Sequence, residues 1–417
     1  MSVQTTEQIK ITTLPNGLRI VSEHIPYVKS ASIGIFVGAG SRDESDPIRG
    51  ITHFIEHMMF KGTPNRTARQ IADEIESRGG SLNAFTDKEM TAYQIRALAE
   101  DTSLAVGILT DMLRNSLHDA EEMEREKRVV IEEIKMYEDS PEETVHDIFE
   151  QTLWQSHALG KSIIGSEETV SGLSRANLTD YIATQYRPDK IVLSAVGLID
   201  HDELVEMAEK AFGDLQGTAP TRLIEKPVPS TERKEISKRD IEQVHFCLGN
   251  AAFSKHDEER FSLSILNNVL GGNMSSRLFQ EVREKRGLAY AIGSYPRAYQ
   301  DGGHFCVYGG TSPETYAQVL ELTNVEFAKI RKDGISEEEL TKAKTQVRGA
   351  LVLGLESMNA RMNRYGEALL SYGRVMPIEE VLTKYEAVSH DTIGAVANVV
   401  LNESSLTLTA VGPFEKD

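Results

Sequence analysis

The first chemistry this sequence offers lies within five residues, where His53 and His57 stand four apart with Glu56 between them. At roughly 100° per residue a helix turns all three onto one face, so two imidazoles can reach one cation while a carboxylate leans over it. Neutral imidazole nitrogens suit Zn²⁺, and a catalytic zinc ordinarily takes three protein ligands and keeps one position for water. The pattern predicts a single-ion metal centre with a built-in general base. It also requires a third ligand from elsewhere in the chain.

The elements that must position these groups are legible as periodicity. The other residues between Ile48 and Phe60 are largely apolar, as a helix packed on a core demands. A long, densely charged helix is predicted over Asp119–Tyr137, and it contains Glu126, Glu132 and Glu133. Glu126 and Glu133 are seven apart and share one face of that helix.

The order His-x-x-Glu-His, with a glutamate 76 positions after the second histidine, resembles the inverted-motif zinc peptidases of the pitrilysin and insulinase family. The resemblance implies that Glu133 is the third zinc ligand, with one zinc ion per chain. It implies that Glu126, two turns earlier, supports the site by orienting a ligating histidine. Zinc held this way would lower the pKa of its bound water towards ~7, and Glu56 would take that proton and later deliver it to the leaving amine.

The likeness continues in the far half, where the stretch Gly271–Phe279 is followed by Arg283 and Tyr290 at the spacing of the family's substrate-contacting arginine and tyrosine. The stretch Gly79–Thr86 resembles the family's active-site edge strand, in which Asn83 and Ala84 would hydrogen-bond an extended peptide. Such backbone pairing gives affinity with little demand on sequence. The similarity runs from about Leu14 to about Phe414, and the arrangement is most like the bacterial relatives of the catalytic subunit of mitochondrial processing peptidase. Those relatives favour arginine near the cut. The positions matching their acidic contacts are Glu143 and Asp147, four apart along a helix and able to pair with a guanidinium. Phe60 and Phe85 read equally as core or as the lining of a hydrophobic subsite beside the zinc.

The bulk numbers narrow the partners. A chain of 417 residues predicts two domains. A net charge of −19 argues against nucleic acid, whose phosphates need clustered Lys and Arg, and favours basic peptides. Neither an apolar run of the ~18 residues that span a bilayer nor a basic amphipathic helix is evident, so no membrane partner is expected. The opening MSVQTTEQIK has neither the basic start nor the apolar core of a leader. Cys247 and Cys306 fall in predicted strands without C-x-x-C spacing and read as buried reduced thiols. Together these features predict a cytoplasmic protein.

A weak internal repeat organises the chain. Strand Ser30–Val37, the motif helix, and the segments Met90–Leu98 and Ile191–Gly197 are answered in order by Gln243–Leu248, a helix ending at Gly271, Gly303–Gly310 and Leu406–Gly412. Residues 261–272, where the motif should recur, hold no His, Asp or Glu, so only the first half can bind the ion. The expected fold is α+β: two homologous α/β domains, each a mixed or antiparallel sheet with helices packed on one side. The division places a zinc-binding catalytic domain in 1–215, a linker rich in Pro and polar residues in 216–238, and a metal-free, substrate-contacting domain in 239–417.

In the family such halves face one another as a clamshell. The resemblance thus implies a zinc endopeptidase for peptides or unfolded segments, completed as a homodimer. Two alternatives stand beside it: a catalytic subunit that needs a distinct noncatalytic partner in a heterodimer, and an inactive structural or assembly subunit.

Overall fold

A computed structural model of the chain describes residues 9–414. Residues 1–8 of the opening segment read for a leader lie outside the described residues. No helix among the described residues is long and apolar enough to cross a membrane. The chain forms two compact units. The first runs to Ile134 and adds Ser162–Arg222 and Leu353–Val375; the second takes Lys135–Lys161, Leu223–Val352 and the chain from Met376 onward.

The first unit is built on a six-stranded sheet of β1 (Ile9–Thr13), β2 (Arg19–His24), β3 (Ser30–Val37), β4 (Ser81–Thr86), β5 (Thr91–Leu98) and β6 (Ile191–Gly197). The strand order is β1-β2-β6-β3-β5-β4. Only β2 and β6 run parallel; the other neighbours are antiparallel. β3 is buried at every position after its first, which in a strand means that both sheet faces are covered. Ile33, Ile35 and Val37 point into the main core, beneath helices that include Ile51–Met59, Thr102–Asn115 and Ala120–Asp139. Phe36 points the other way, as do Val21, Val192 and Val196, and these meet Met362, Tyr365 and Leu369 of helix Met358–Tyr372.

The second unit repeats the plan with β7 (Lys234–Lys238), β8 (Val244–Ala252), β9 (Ala289–Ala298), β10 (Gly303–Thr311) and β11 (Thr407–Gly412), in the order β7-β11-β8-β10-β9. Here β7 and β11 are the parallel pair. The order and sense match β2-β6-β3-β5-β4, so the duplication read in the sequence exists as two sheets of like topology. One face of the second sheet carries a core that includes helices Glu259–Leu270 and His390–Val400. The other face receives Val145, Phe149, Leu153 and Trp154 from helix Pro141–Trp154.

Each sheet therefore has a helix on its second face, and the expectation of helices on one side only is incomplete. Moreover, that helix comes from the opposite half of the sequence. Cutting the chain into 1–215 and 239–417 does not reproduce the compact units, because Pro141–Trp154 belongs to the second and Met358–Tyr372 to the first. The chain can leave the first unit after Ile134 because the long helix stops at Asp139, where Ser140 caps a new helix with Pro141 at its first position.

Candidate metal centre

The motif helix Ile51–Met59 starts abruptly and is anchored hard. Gly50 precedes it with φ of +87°, a left-handed conformation that a side chain resists, and a Cβ there would meet the Ile164 carbonyl at 2.6 Å. The buried carboxylate of Glu44 then accepts the free N–H groups of Gly50 and Thr52, each at 2.8 Å. This satisfies donors that every helix start leaves open and places negative charge at the positive end of the helix. Burial pushes the Glu44 carboxyl up to about 7 in spite of those bonds. Ile51, Phe54, Ile55, Met58 and Met59 enter the core and fix the rotation of the helix, which leaves His53, Glu56 and His57 on the remaining face.

Four residues of the long helix Ala120–Asp139 are buried, and Glu126 lies among the apolar Met123, Val130 and Ile134. A carboxylate in an apolar stripe needs a partner. Glu126 has two: His57 Nδ1 at 2.8 Å from one oxygen and Lys61 Nζ at 2.5 Å from the other. Glu133, two turns on, lies 3.7 Å from His53 Nε2 through one oxygen and 3.6 Å from His57 Nε2 through the other. The imidazole rings stand edge to face with centroids 4.6 Å apart.

This donor set fits a zinc ion. One ligand atom from each of His53, His57 and Glu133 lies within 4.8 Å of the others. Ligand atoms on a tetrahedral zinc with bonds near 2.1 Å stand about 3.4 Å apart. The protonation states suit the same purpose. Burial, with the neighbouring His57 ring adding to it, brings His53 down to about 3, so it is a neutral ligand at any ordinary pH. Burial also pulls His57 down, but the hydrogen bond to Glu126 and the charges of Glu126, Glu133 and Glu56 outweigh it and raise the ring. Burial works against the Glu126 charge, and the bonds from His57 and Lys61 reverse that, so its carboxylate accepts and His57 Nδ1–H donates. The same charges favour a proton on His57 Nε2 as well, and a metal ion bound at that nitrogen would displace it. His53 Nδ1 has no hydrogen-bond partner among the described residues.

Glu56 is raised by burial, against the hydrogen bond from Thr86 and the His57 charge. The Thr86 hydroxyl donates to Glu56 Oε2 at 2.5 Å. Thr86 closes β4, which pairs with β5 on one side and is the outer strand of its sheet. On this strand Asn83 is exposed, and its side-chain oxygen accepts the Ala84 N–H at 2.9 Å.

Leu82 and Ala84 pack on the main core, whereas Phe85 packs against the cluster formed with helix Met358–Tyr372. That is the sheet face opposite Thr86, because side chains alternate along a strand. The expectation that Phe85 lines the pocket of the imidazoles is corrected on this ground. Phe60, at the end of the motif helix, is half-buried against the main core.

The remaining candidates lie in the second unit. Arg283 sits in a short π-helical segment, Phe279–Glu284, with its guanidinium 4.8 Å from the Phe279 ring centroid and 4.9 Å from that of Tyr290. Tyr290, at the start of β9, is 79% exposed. Glu143 and Asp147 are exposed on helix Pro141–Trp154. The sequence reading passed over Thr86, Lys61 and Glu44. Thr86 lay within the quoted edge strand, and only its partner across the fold reveals its place.

The profile of the family described as Insulinase (Peptidase family M16) matches residues 19–167, and that described as Peptidase M16 inactive domain matches 172–347. The chain is 42% identical to the uncharacterized zinc protease YmxG of Bacillus subtilis over 95% of this chain and 96% of the relative. It is 40% identical to an uncharacterized zinc protease of Streptomyces coelicolor over 98% of this chain and 90% of that one. Among solved structures, a protease from Helicobacter pylori superposes with a TM-score of 0.89 at 21% identity, covering 98% of this chain and all of that one. A Pseudomonas fluorescens structure described as a peptidase M16 inactive domain superposes with a TM-score of 0.90 at 20% identity, covering 98% of each chain. These two likenesses concern the fold.

Proposed function

The chain belongs to the insulinase family of peptidases, M16, and on that footing we propose that it is a zinc-dependent endopeptidase for peptides and unfolded segments. The observation that carries this reading is the meeting of His53, His57 and Glu133 from two helices at ligand spacing, with Glu56 beside them. Zinc bound there would act as a Lewis acid, acidifying water and polarising the scissile carbonyl.

The rest is done by the chain's own side chains. Glu56 accepts the proton of the attacking water and returns it to the leaving amine. Thr86 fixes one oxygen of that carboxylate and leaves the other for the proton. Glu126 holds the His57 tautomer, and Lys61 holds Glu126. The outer edge of β4 offers backbone groups to an extended substrate at Asn83 and Ala84, with the Asn83 side chain yielding the Ala84 N–H as the peptide pairs. Arg283 and Tyr290 serve as substrate contacts, and Glu143 with Asp147 confers preference for a basic residue near the cut. The working form is a homodimer.

The test is hydrolysis of a basic, unfolded peptide by wild type and Glu56→Gln, with metal content measured on both. The variant keeps its zinc and loses about 10²–10⁴-fold in turnover. Normal cutting by the variant removes Glu56 from this role. A wild type without metal or hydrolysis favours a scaffold subunit.

A further inference from the structure

A second set of metal-binding atoms converges in the second unit, on residues that the proposed peptidase chemistry does not use. Cys247 of β8 and Cys306 of β10 are both fully buried, on the sheet face covered by helix Pro141–Trp154. From that helix His146 places Nδ1 at 3.4 Å from Cys247 Sγ. One donor atom from each of the three lies within 4.8 Å of the others. For a tetrahedral zinc, bond lengths of about 2.3 Å to sulfur and 2.05 Å to nitrogen put S···S at about 3.8 Å and S···N at about 3.6 Å. The three donor atoms are already gathered close to this spacing.

A disulfide is the competing use of two adjacent thiols, and the strand register disfavours it. Cys247 stands opposite Tyr308, and Cys306 stands opposite Gly249, so the cysteines are diagonal neighbours. Diagonal pairs have Cα atoms about 7–8 Å apart, beyond the roughly 4.4–6.8 Å that a disulfide spans. A metal bridges the longer gap that a sulfur–sulfur bond cannot. His146 Nδ1 is shared between the Tyr295 hydroxyl at 2.6 Å and Cys247 Sγ at 3.4 Å, so the nitrogen already faces the sulfurs.

We propose that His146, Cys247 and Cys306 form a structural site for a thiophilic d¹⁰ cation, Zn²⁺ or Cu⁺, which pins helix Pro141–Trp154 to the second sheet. Both thiols release their protons to solvent as the ion enters, so Zn²⁺ with two thiolates forms a neutral cluster suited to a buried place. Soft sulfur donors select these two ions over Mg²⁺ or Ca²⁺. The Tyr295 hydroxyl, 2.6 Å from His146 Nδ1, gives up that nitrogen to the metal and remains beside the sulfurs to donate to a thiolate or complete the shell.

The test uses reduced, metal-stripped full-length protein titrated with Zn²⁺, with Co²⁺ as a spectroscopic probe and Cu⁺ in a parallel arm. Only a thiolate site gives thiolate-to-Co²⁺ charge-transfer absorption in the near ultraviolet; the His53, His57 and Glu133 set has no sulfur. Wild type binds two Zn²⁺ per chain if zinc is the ion, and H53A/H57A binds one and keeps the band. C247A/C306A loses the band and one equivalent while it still hydrolyses peptide. If Cu⁺ is the ion, Zn²⁺ stoichiometry stays at one, and Cu⁺ protects both thiols from alkylation in wild type and H53A/H57A. Should C247A/C306A fail to fold, the band in H53A/H57A still decides. The proposal is overturned if no thiolate band or Cu⁺ protection appears, or if the isolated protein carries a Cys247–Cys306 disulfide. Failure of the peptidase reading would leave the band untouched.

Discussion

His57 is gripped from both sides: Glu126 takes its Nδ1–H at 2.8 Å, and Glu133 lies 3.6 Å from the opposite nitrogen. Carboxylate partners of ligating histidines commonly contribute 10–100-fold to metal affinity, and a loss of that size is expected for Glu126→Ala in competition with a zinc chelator. Lys61→Met should weaken zinc less, because it frees one Glu126 oxygen and leaves the bond to His57 intact. Thr86→Val removes the donor to the Glu56 carboxylate. Hydrogen bonds to charged groups are worth roughly 1.5–3 kcal/mol, so kcat should fall about 10–100-fold with KM and bound zinc unchanged. A variant with wild-type kcat would show that Thr86 does not position the base.

At the scale of elements, the motif helix depends on a start that tolerates no side chain. Gly50→Ala must either abandon the φ of +87° or push its Cβ into the Ile164 carbonyl. A loss of about 1–3 kcal/mol in chemical unfolding is expected, with zinc affinity falling alongside because the helix carries two of the proposed ligands. In the second unit, Arg277 donates to both oxygens of Glu339, at 2.7 and 2.8 Å. That bond, against the opposing effect of burial, lowers Glu339 from its ordinary 4.5 to about 2. Its stabilisation is therefore complete above the unfolded value and is lost as pH falls from about 4.5 to about 2. Glu339→Gln should unfold at lower urea than wild type at pH 7, and the gap should narrow below about pH 4.5 and close as the pH approaches about 2. A gap independent of pH would assign the effect to packing.

Elements of this kind were legible where one period dominates. β3, β6 and the long charged helix fall within two residues of their sequence readings, since apolar alternation and a 3.6-residue stripe are local signals. The three zinc-binding candidates were legible unequally. His53 and His57 announce themselves by spacing, whereas Glu133 came through family resemblance, because nothing local separates it from the other glutamates of its helix. Thr86, Lys61 and Glu44 were not legible at all; Thr86 and Lys61 act on partners brought near by the fold, and Glu44 on backbone N–H groups six and eight residues on. Phe85 reads equally as core or subsite in the sequence because the face of an isolated strand is ambiguous until its partners are known.

For the whole molecule, the least legible feature is the exchange of Pro141–Trp154 and Met358–Tyr372, which depends on both sheets existing. Each of these helices supplies the cover for apolar residues of its sheet's second face, including Val21 and Phe36 in one unit and Val411 in the other. Protein nicked within the 216–231 segment should therefore elute from gel filtration as one particle, since each fragment contributes a helix to the unit built mainly from the other. Separation of the fragments in native buffer would contradict that assignment. Sedimentation should give twice the mass of the chain if the proposed homodimer is the working form.

The central claim is that His53, His57 and Glu133 hold the ion on which hydrolysis depends, and the most direct measurement is recovery of peptidase activity as Zn²⁺ is returned to the metal-stripped enzyme, with Glu133→Gln alongside. The account predicts that stripping abolishes hydrolysis and that zinc restores it in wild type but not in the variant. Hydrolysis that survives stripping, or full recovery in Glu133→Gln, would contradict it.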